Sequence, residues 1–170
     1  MNMLYAPWRT NYTETEAKTK KETATENECV FCVQLEENID EQYYILKRFE
    51  HCVAMLNRYP YNAGHLLIMP YAHIGLLEDL PKKTRIELVE LVTHSCKIVQ
   101  NVLDCHGINI GLNIGKAAGP SIPSHLHFHV LPRWQGDTNF MPTIGKTKVV
   151  SSDLNKIYEQ LKPYFEILSL

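Results

Sequence analysis

The sequence lacks any uninterrupted apolar run near the ~20 residues a bilayer-spanning helix needs. Its opening stretch, Met1 to Tyr12, has no basic region followed by an apolar one, so it does not read as a secretory leader. An excess of one charge is also missing. The formal net charge is -2, which gives no global attraction for nucleic acid, so any phosphate contact must come from a local site. The five cysteines are an odd number and do not suggest a disulfide framework. Cys52, Cys96 and Cys105 fall in apolar or helical patterns and read as reduced core residues. These absences together predict a cytoplasmic protein with no membrane and no nucleic-acid partner. Internal repeats are missing too.

What is present is a globular composition, 45% hydrophobic and 21% charged, in a chain long enough to bury a core without staples. Thr10 to Glu28 is almost wholly polar and reads as a linker after an N-terminal anchor of Leu4, Tyr5, Pro7 and Trp8. The expected division is therefore 1–28, anchor and linker, and 29–170, the domain. Three short strand-like runs follow at Tyr43 to Phe49, Cys52 to Asn57 and His65 to Met69, with Pro60, Asn62 and Gly64 marking a turn.

A long helix is expected over 83–105, with Pro81 in its first turn and Gly107 as its stop. Its core stripe reads as Ile86, Val89, Val92, Cys96, Val99 and Leu103. Leu88, Leu91 and Ile98 beside that stripe give the helix extra apolar width, available for a partner. Ile108 to Ile114 alternates as a strand, and His125 to Leu131 forms another after a glycine-containing loop, Gly115 to Ser124. Ser151 to Leu168 reads as an amphipathic helix bent or broken near Pro163. Strands grouped around one long helix without βαβ alternation predict an α+β fold with a mainly antiparallel sheet.

His125, His127 and His129 alternate with Leu126, Phe128 and Val130. On a strand that places three imidazoles on one face, about 7 Å apart, over an apolar underside. Packing alone explains such a row poorly, because each ring brings nitrogens that need partners. A neutral imidazole can attack phosphorus while its neighbours hold its tautomer and handle protons. A row of histidines can equally hold a catalytic zinc. Cys29 and Cys32 form a lone C-x2-C, open to three readings: a redox pair, half of a zinc site, or two reduced thiols.

The run His125-Leu126-His127-Phe128-His129-Val130-Leu131 resembles the motif of the histidine-triad family. Further segments resemble its diadenosine-polyphosphate-cleaving branch. They are Ala6-Pro7-Trp8-Arg9, Cys29-Val30-Phe31-Cys32, Asn57-Arg58-Tyr59-Pro60, Gly64 to Pro70, and Pro132 to Phe140. The resemblance implies a five-stranded antiparallel sheet, a homodimer, and cleavage at a nucleotide's α-phosphate through a nucleotidyl-histidine. It implies His127 as nucleophile, with His129, His125 and His65 in the catalytic set. It also implies Asn57 and Asn113 near the nucleoside, Ser121 at the phosphate, and Asn139 with Thr147 at an acceptor site. The loop departs from the branch pattern at Gly119-Pro120-Ser121, and Lys146-Thr147 stands where a Gly-Ser pair is usual. The same resemblance completes a structural zinc site from Cys29, Cys32, His73 and His125. A phosphoramidase using the same histidines, or a nucleotide-binding regulatory module, remain the alternatives.

Overall fold

A computed structural model describes residues 29–145 and 153–170. The anchor and linker, the segment Ala6 to Arg9, the Ser151 start and the Lys146-Thr147 pair lie outside those residues. A short helix α1 (Val30–Glu36) comes first, then strands β1 (Ile45–Arg48), β2 (Cys52–Leu56) and β3 (Leu66–Pro70). The long helix α2 (Lys82–Leu103) leads to β4 (Gly107–Leu112), a turn of 3-10 helix at Lys116–Ala118, and β5 (Phe128–Arg133). Two more helices close the chain, α3 (Met141–Ile144) and α4 (Leu154–Glu166). The five strands form one sheet in the order β1-β2-β3-β5-β4, and every neighbouring pair is antiparallel. This is the expected α+β architecture.

Strand alternation builds two cores, one on each face of the sheet. Leu46, Ala54, Leu56, Leu66, Ile68 and Val130 pack against the long helix and α4. Ile45, Val53, Met55, Leu67 and Met69 face the other way and pack with Phe31 and Leu35 of α1. Every residue of β2 and β3 is buried, because both faces are covered. One row crosses all five strands on the α1 side: Ile45, Met55, Leu67, His129 and Gly111 are successive partners. This row aligns three apolar side chains with an imidazole.

The long helix corrects the expected stripe. Its buried residues are Thr84, Leu88, Leu91, Val92, Ser95 and Val99, whereas Ile86 and Val89 are 55% and 52% exposed. Leu88 and Ile86 point to nearly opposite sides at ~100° per residue. Apolar residues occur on both sides, so periodicity alone does not say which side meets the sheet. Leu88 and Leu91 belong to the core, and Ile98 packs partly against it. Pro81 sits one residue ahead of the helix, and Asp104, in the left-handed region at φ 49°, ends it. Gly107 instead opens β4.

Several other boundaries differ. Tyr43 and Tyr44 precede β1, and Asn57 and His65 flank the turn between β2 and β3, with the Asn57 N–H donating to the His65 carbonyl at 2.8 Å. Within that turn Gly64 has φ +69°, a backbone that strains any side chain, and a Cβ there would also require Leu103 Cδ1, 2.3 Å away, to move. The last helix runs through Pro163 unbroken, and Asp153 starts it by accepting from the Asn155 N–H at 2.9 Å. Its Ile157, Leu161 and Phe165 are buried.

Candidate active site and metal centre

β5 begins at Phe128, so of the three alternating histidines only His129 lies on a strand. The segment before it is tied down by Leu126, whose N–H donates to the Ile74 carbonyl at 2.8 Å. The expected single row of imidazoles is therefore not formed. His127 and His129 line one cleft, with ring centroids 5.0 Å apart, while the His125 ring turns to Cys29 and Cys32.

Hydrogen-bond partners fix where the protons sit. The Tyr61 N–H donates to His65 Nδ1 at 3.1 Å, and the Asn57 amide stands 3.2 Å from the same nitrogen. His65 therefore carries its proton on Nε2 and donates it to His129 Nδ1 at 2.9 Å. A neutral His129 then bears its own proton on Nε2. The order reverses at His127, whose Nδ1 lies 2.7 Å from the His125 carbonyl oxygen. Only a donor can face a carbonyl, so His127 Nδ1 is protonated and Nε2 holds a lone pair. Burial pushes the His127 pKa below the ordinary imidazole value, against the opposing pull of that carbonyl, which favours the neutral ring. A nucleophilic nitrogen and a proton donor thus stand side by side. Tyr61 stacks on His129, its ring 5.8 Å away and tilted by 21°, and buttresses the relay.

The cleft combines apolar walls with a few convergent polar groups, the lining that small-molecule sites share. Met55, Leu67, Phe31 and Ile122 give it apolar walls beside His127 and His129. Asn57 and Ser121 line it. Asn113, just past β4, does not, nor does Asn139, whose side chain accepts from the Met141 N–H at 2.8 Å. Thr147 lies outside the described residues. The sequence pattern missed Gln34, Arg58 and Tyr61 as lining residues. For Gln34 a signal existed: Val30, Phe31 and Gln34 have the spacing of one helical face, but α1 was not anticipated.

The fourth expected catalytic residue belongs to a different cluster. His125 Nδ1 is 3.5 Å from both Cys29 Sγ and Cys32 Sγ, and His73 Nδ1 is 3.3 Å from Cys32 Sγ. The four donor atoms lie within 4.8 Å of one another. Tetrahedral zinc, with bonds of about 2.3 Å to sulfur and 2.0–2.1 Å to nitrogen, spaces neighbouring donors by about 3.4–3.8 Å. The residues fit that ion. His125 Nε2 donates to the Pro70 carbonyl at 2.9 Å, which leaves Nδ1 to face the sulfurs. Burial, reinforced by Cys29 beside it, pushes the Cys32 thiol up to about 11, so a pair of thiolates here calls for a cation. Gly75 brings this pole against the cleft: its Cβ would meet the Pro123 carbonyl oxygen at 2.6 Å, in the loop that carries Ser121.

Comparison with known proteins agrees with this geometry. The HIT domain family model matches residues 38–136. The AP-4-A phosphorylase of Mycobacterium tuberculosis (strain H37Rv) is 38% identical over 151 residues, covering 88% of this chain and 77% of the relative. The asymmetrical bis(5'-nucleosyl)-tetraphosphatase of Schizosaccharomyces pombe is 28% identical, over 66% of this chain and 58% of its own. Among solved structures, a zinc-bound histidine triad family protein from Mycobacterium smegmatis superposes with a TM-score of 0.66 at 25% identity, covering 81% of this chain and 93% of its own. Fold, histidine geometry and these likenesses together place the chain in the HIT domain family, the histidine-triad proteins.

Proposed function

We propose that this protein is a nucleotide hydrolase or transferase that cleaves dinucleoside polyphosphates of the diadenosine tetraphosphate kind at the α-phosphate. The observation that carries the reading is the fixed tautomer of His127, which presents a lone pair on Nε2 to the cleft. In this mechanism Nε2 bonds to the α-phosphorus as the bond from that phosphorus to the bridging oxygen breaks. His129 Nε2 supplies the proton to the departing oxygen, and His65 holds His129 in place. Backbone donors of the 115–124 loop and the Ser121 hydroxyl neutralise the phosphate oxygens. Water or phosphate then displaces the nucleotide from His127. The phosphorylase and tetraphosphatase relatives support this class of substrate. Product analysis with diadenosine tetraphosphate, with and without inorganic phosphate, tests it. AMP plus ATP is expected from water and ADP plus ATP from phosphate, whereas two ADP without phosphate contradicts attack at the α-position.

A structural zinc held by Cys29, Cys32, His73 and His125 belongs to the same reading, supported by the donor spacing and the zinc-bound relative. When bound it contributes folding energy and ties α1 to the segment preceding β5. The protein acts as a homodimer. β4 is the sheet's open edge with Ile110 54% exposed, and Ile86 and Val89 leave apolar surface on the long helix. Light scattering at micromolar concentration is expected to give twice the chain mass; a monomer refutes the dimer.

A further inference from the structure

The chemistry at phosphorus leaves the apolar lining of the cleft unassigned. There Met55 and Leu67, opposite each other across β2 and β3, face Val30 and Phe31 of α1. Gln34 follows Val30 and Phe31 by four and three residues on the same helix, shares their face, and lines the same cleft. It is half-buried, and among the described residues its amide has no side-chain hydrogen bond. Neighbouring polar groups of the lining are engaged or exposed. The Tyr43 hydroxyl donates to Glu37, and Arg58 is exposed. Gln34 is therefore a neutral donor–acceptor pair set into an apolar wall, where an unmatched polar group of a ligand is costly.

We propose that Gln34 is the base-reading residue, pairing with the hydrogen-bonding edge of a 6-substituted purine such as adenine. This rests on the nucleotide reading of the cleft and deepens it. The Gln34 carbonyl accepts from the 6-amino group while its NH2 donates to the adjoining ring nitrogen, two coplanar bonds that an amide and an adenine edge make together. Phe31, Met55 and Leu67 cover the ring faces and exclude water from those bonds. Turned over, the same amide donates to guanine's 6-carbonyl and accepts from its N1–H, so either 6-substituted purine pairs with it, whereas a base without the 6-substituent leaves one half of the Gln34 amide unpaired.

The test is calorimetric binding of AMP, GMP and purine riboside 5′-monophosphate, which lacks the 6-amino group, to the full chain and two variants. Wild-type protein is expected to bind AMP about tenfold to a hundredfold tighter than the desamino analogue. Gln34→Leu erases that ratio. Gln34→Glu shifts preference towards GMP, because a carboxylate only accepts and guanine offers its N1–H and 2-amino donors side by side. Turnover of diadenosine tetraphosphate at saturation by Gln34→Leu stays within about threefold, with the loss falling on KM. Unchanged AMP/desamino and AMP/GMP ratios in both variants, in a protein that binds AMP and cleaves the dinucleotide, overturn the role of Gln34 alone. A wild-type protein that binds none of these nucleotides overturns the functional reading with it.

Discussion

His125 and His127 are separated by one leucine, yet one ring meets two sulfurs and the other meets an open cleft. In each case a backbone carbonyl takes one ring nitrogen and thereby assigns the other. At His125 the Pro70 carbonyl takes Nε2 and leaves Nδ1 to face the two sulfurs. At His127 the His125 carbonyl takes Nδ1 and leaves the Nε2 lone pair to the cleft. Identical side chains acquire different chemistry from which nitrogen the main chain claims. The two poles remain mechanically joined: the edge-on contacts of Phe31 with both rings, at centroid distances of 5.6 and 5.2 Å, bridge them.

If the poles divide chemistry from stability, substitutions on either side should give opposite signatures. The largest effect is expected at His127. His127→Ala should lower turnover of diadenosine tetraphosphate by roughly 10⁴-fold or more, with nucleotide affinity and metal content near wild type. Steady-state kinetics, nucleotide titration and elemental analysis check this, and near-normal turnover would show that the covalent route is wrong. Cys29→Ser should do the reverse. Its zinc content should fall and Tm should drop by about 10 °C, while the single-turnover rate at saturating nucleotide changes far less. Zinc-free wild-type protein, purified without chelator, would dissolve the distinction.

The smallest effect is expected where the poles meet. Gly75→Ala presses a methyl group against the Pro123 backbone and should cost about 1–3 kcal/mol in denaturant unfolding. Because His73 lies just before Gly75 and Ser121 sits in the opposing loop, both zinc affinity and turnover should weaken modestly. An unchanged unfolding midpoint would mean that the loops yield freely.

Sheet and helices were largely legible because β2, β3 and the last helix carry strong apolar periodicity and clear turn residues. The side of the long helix that packs was not, since Ile86 and Val89 on one side and Leu88 and Leu91 on the other give competing stripes. The histidine spacing pointed to chemistry but implied three rings on one face. Tertiary contacts override that alternation before Phe128, where the main chain hangs from Ile74 and the rings diverge. The four candidate zinc donors followed from family resemblance, as positions 29, 32, 73 and 125 have no local pattern linking them. α1 was invisible because seven residues around a C-x2-C pair give too short a window for helical periodicity. With it went Gln34.

The division of labour between neighbouring histidines is tested most directly by locating the nucleotide on the protein. Wild-type enzyme is mixed with diadenosine tetraphosphate, quenched under alkaline denaturing conditions within one turnover, and its peptides are mapped by mass spectrometry. A nucleotidyl group on His127, absent from the His127→Ala protein, is the predicted result. The same group on His125 or His129 would contradict it.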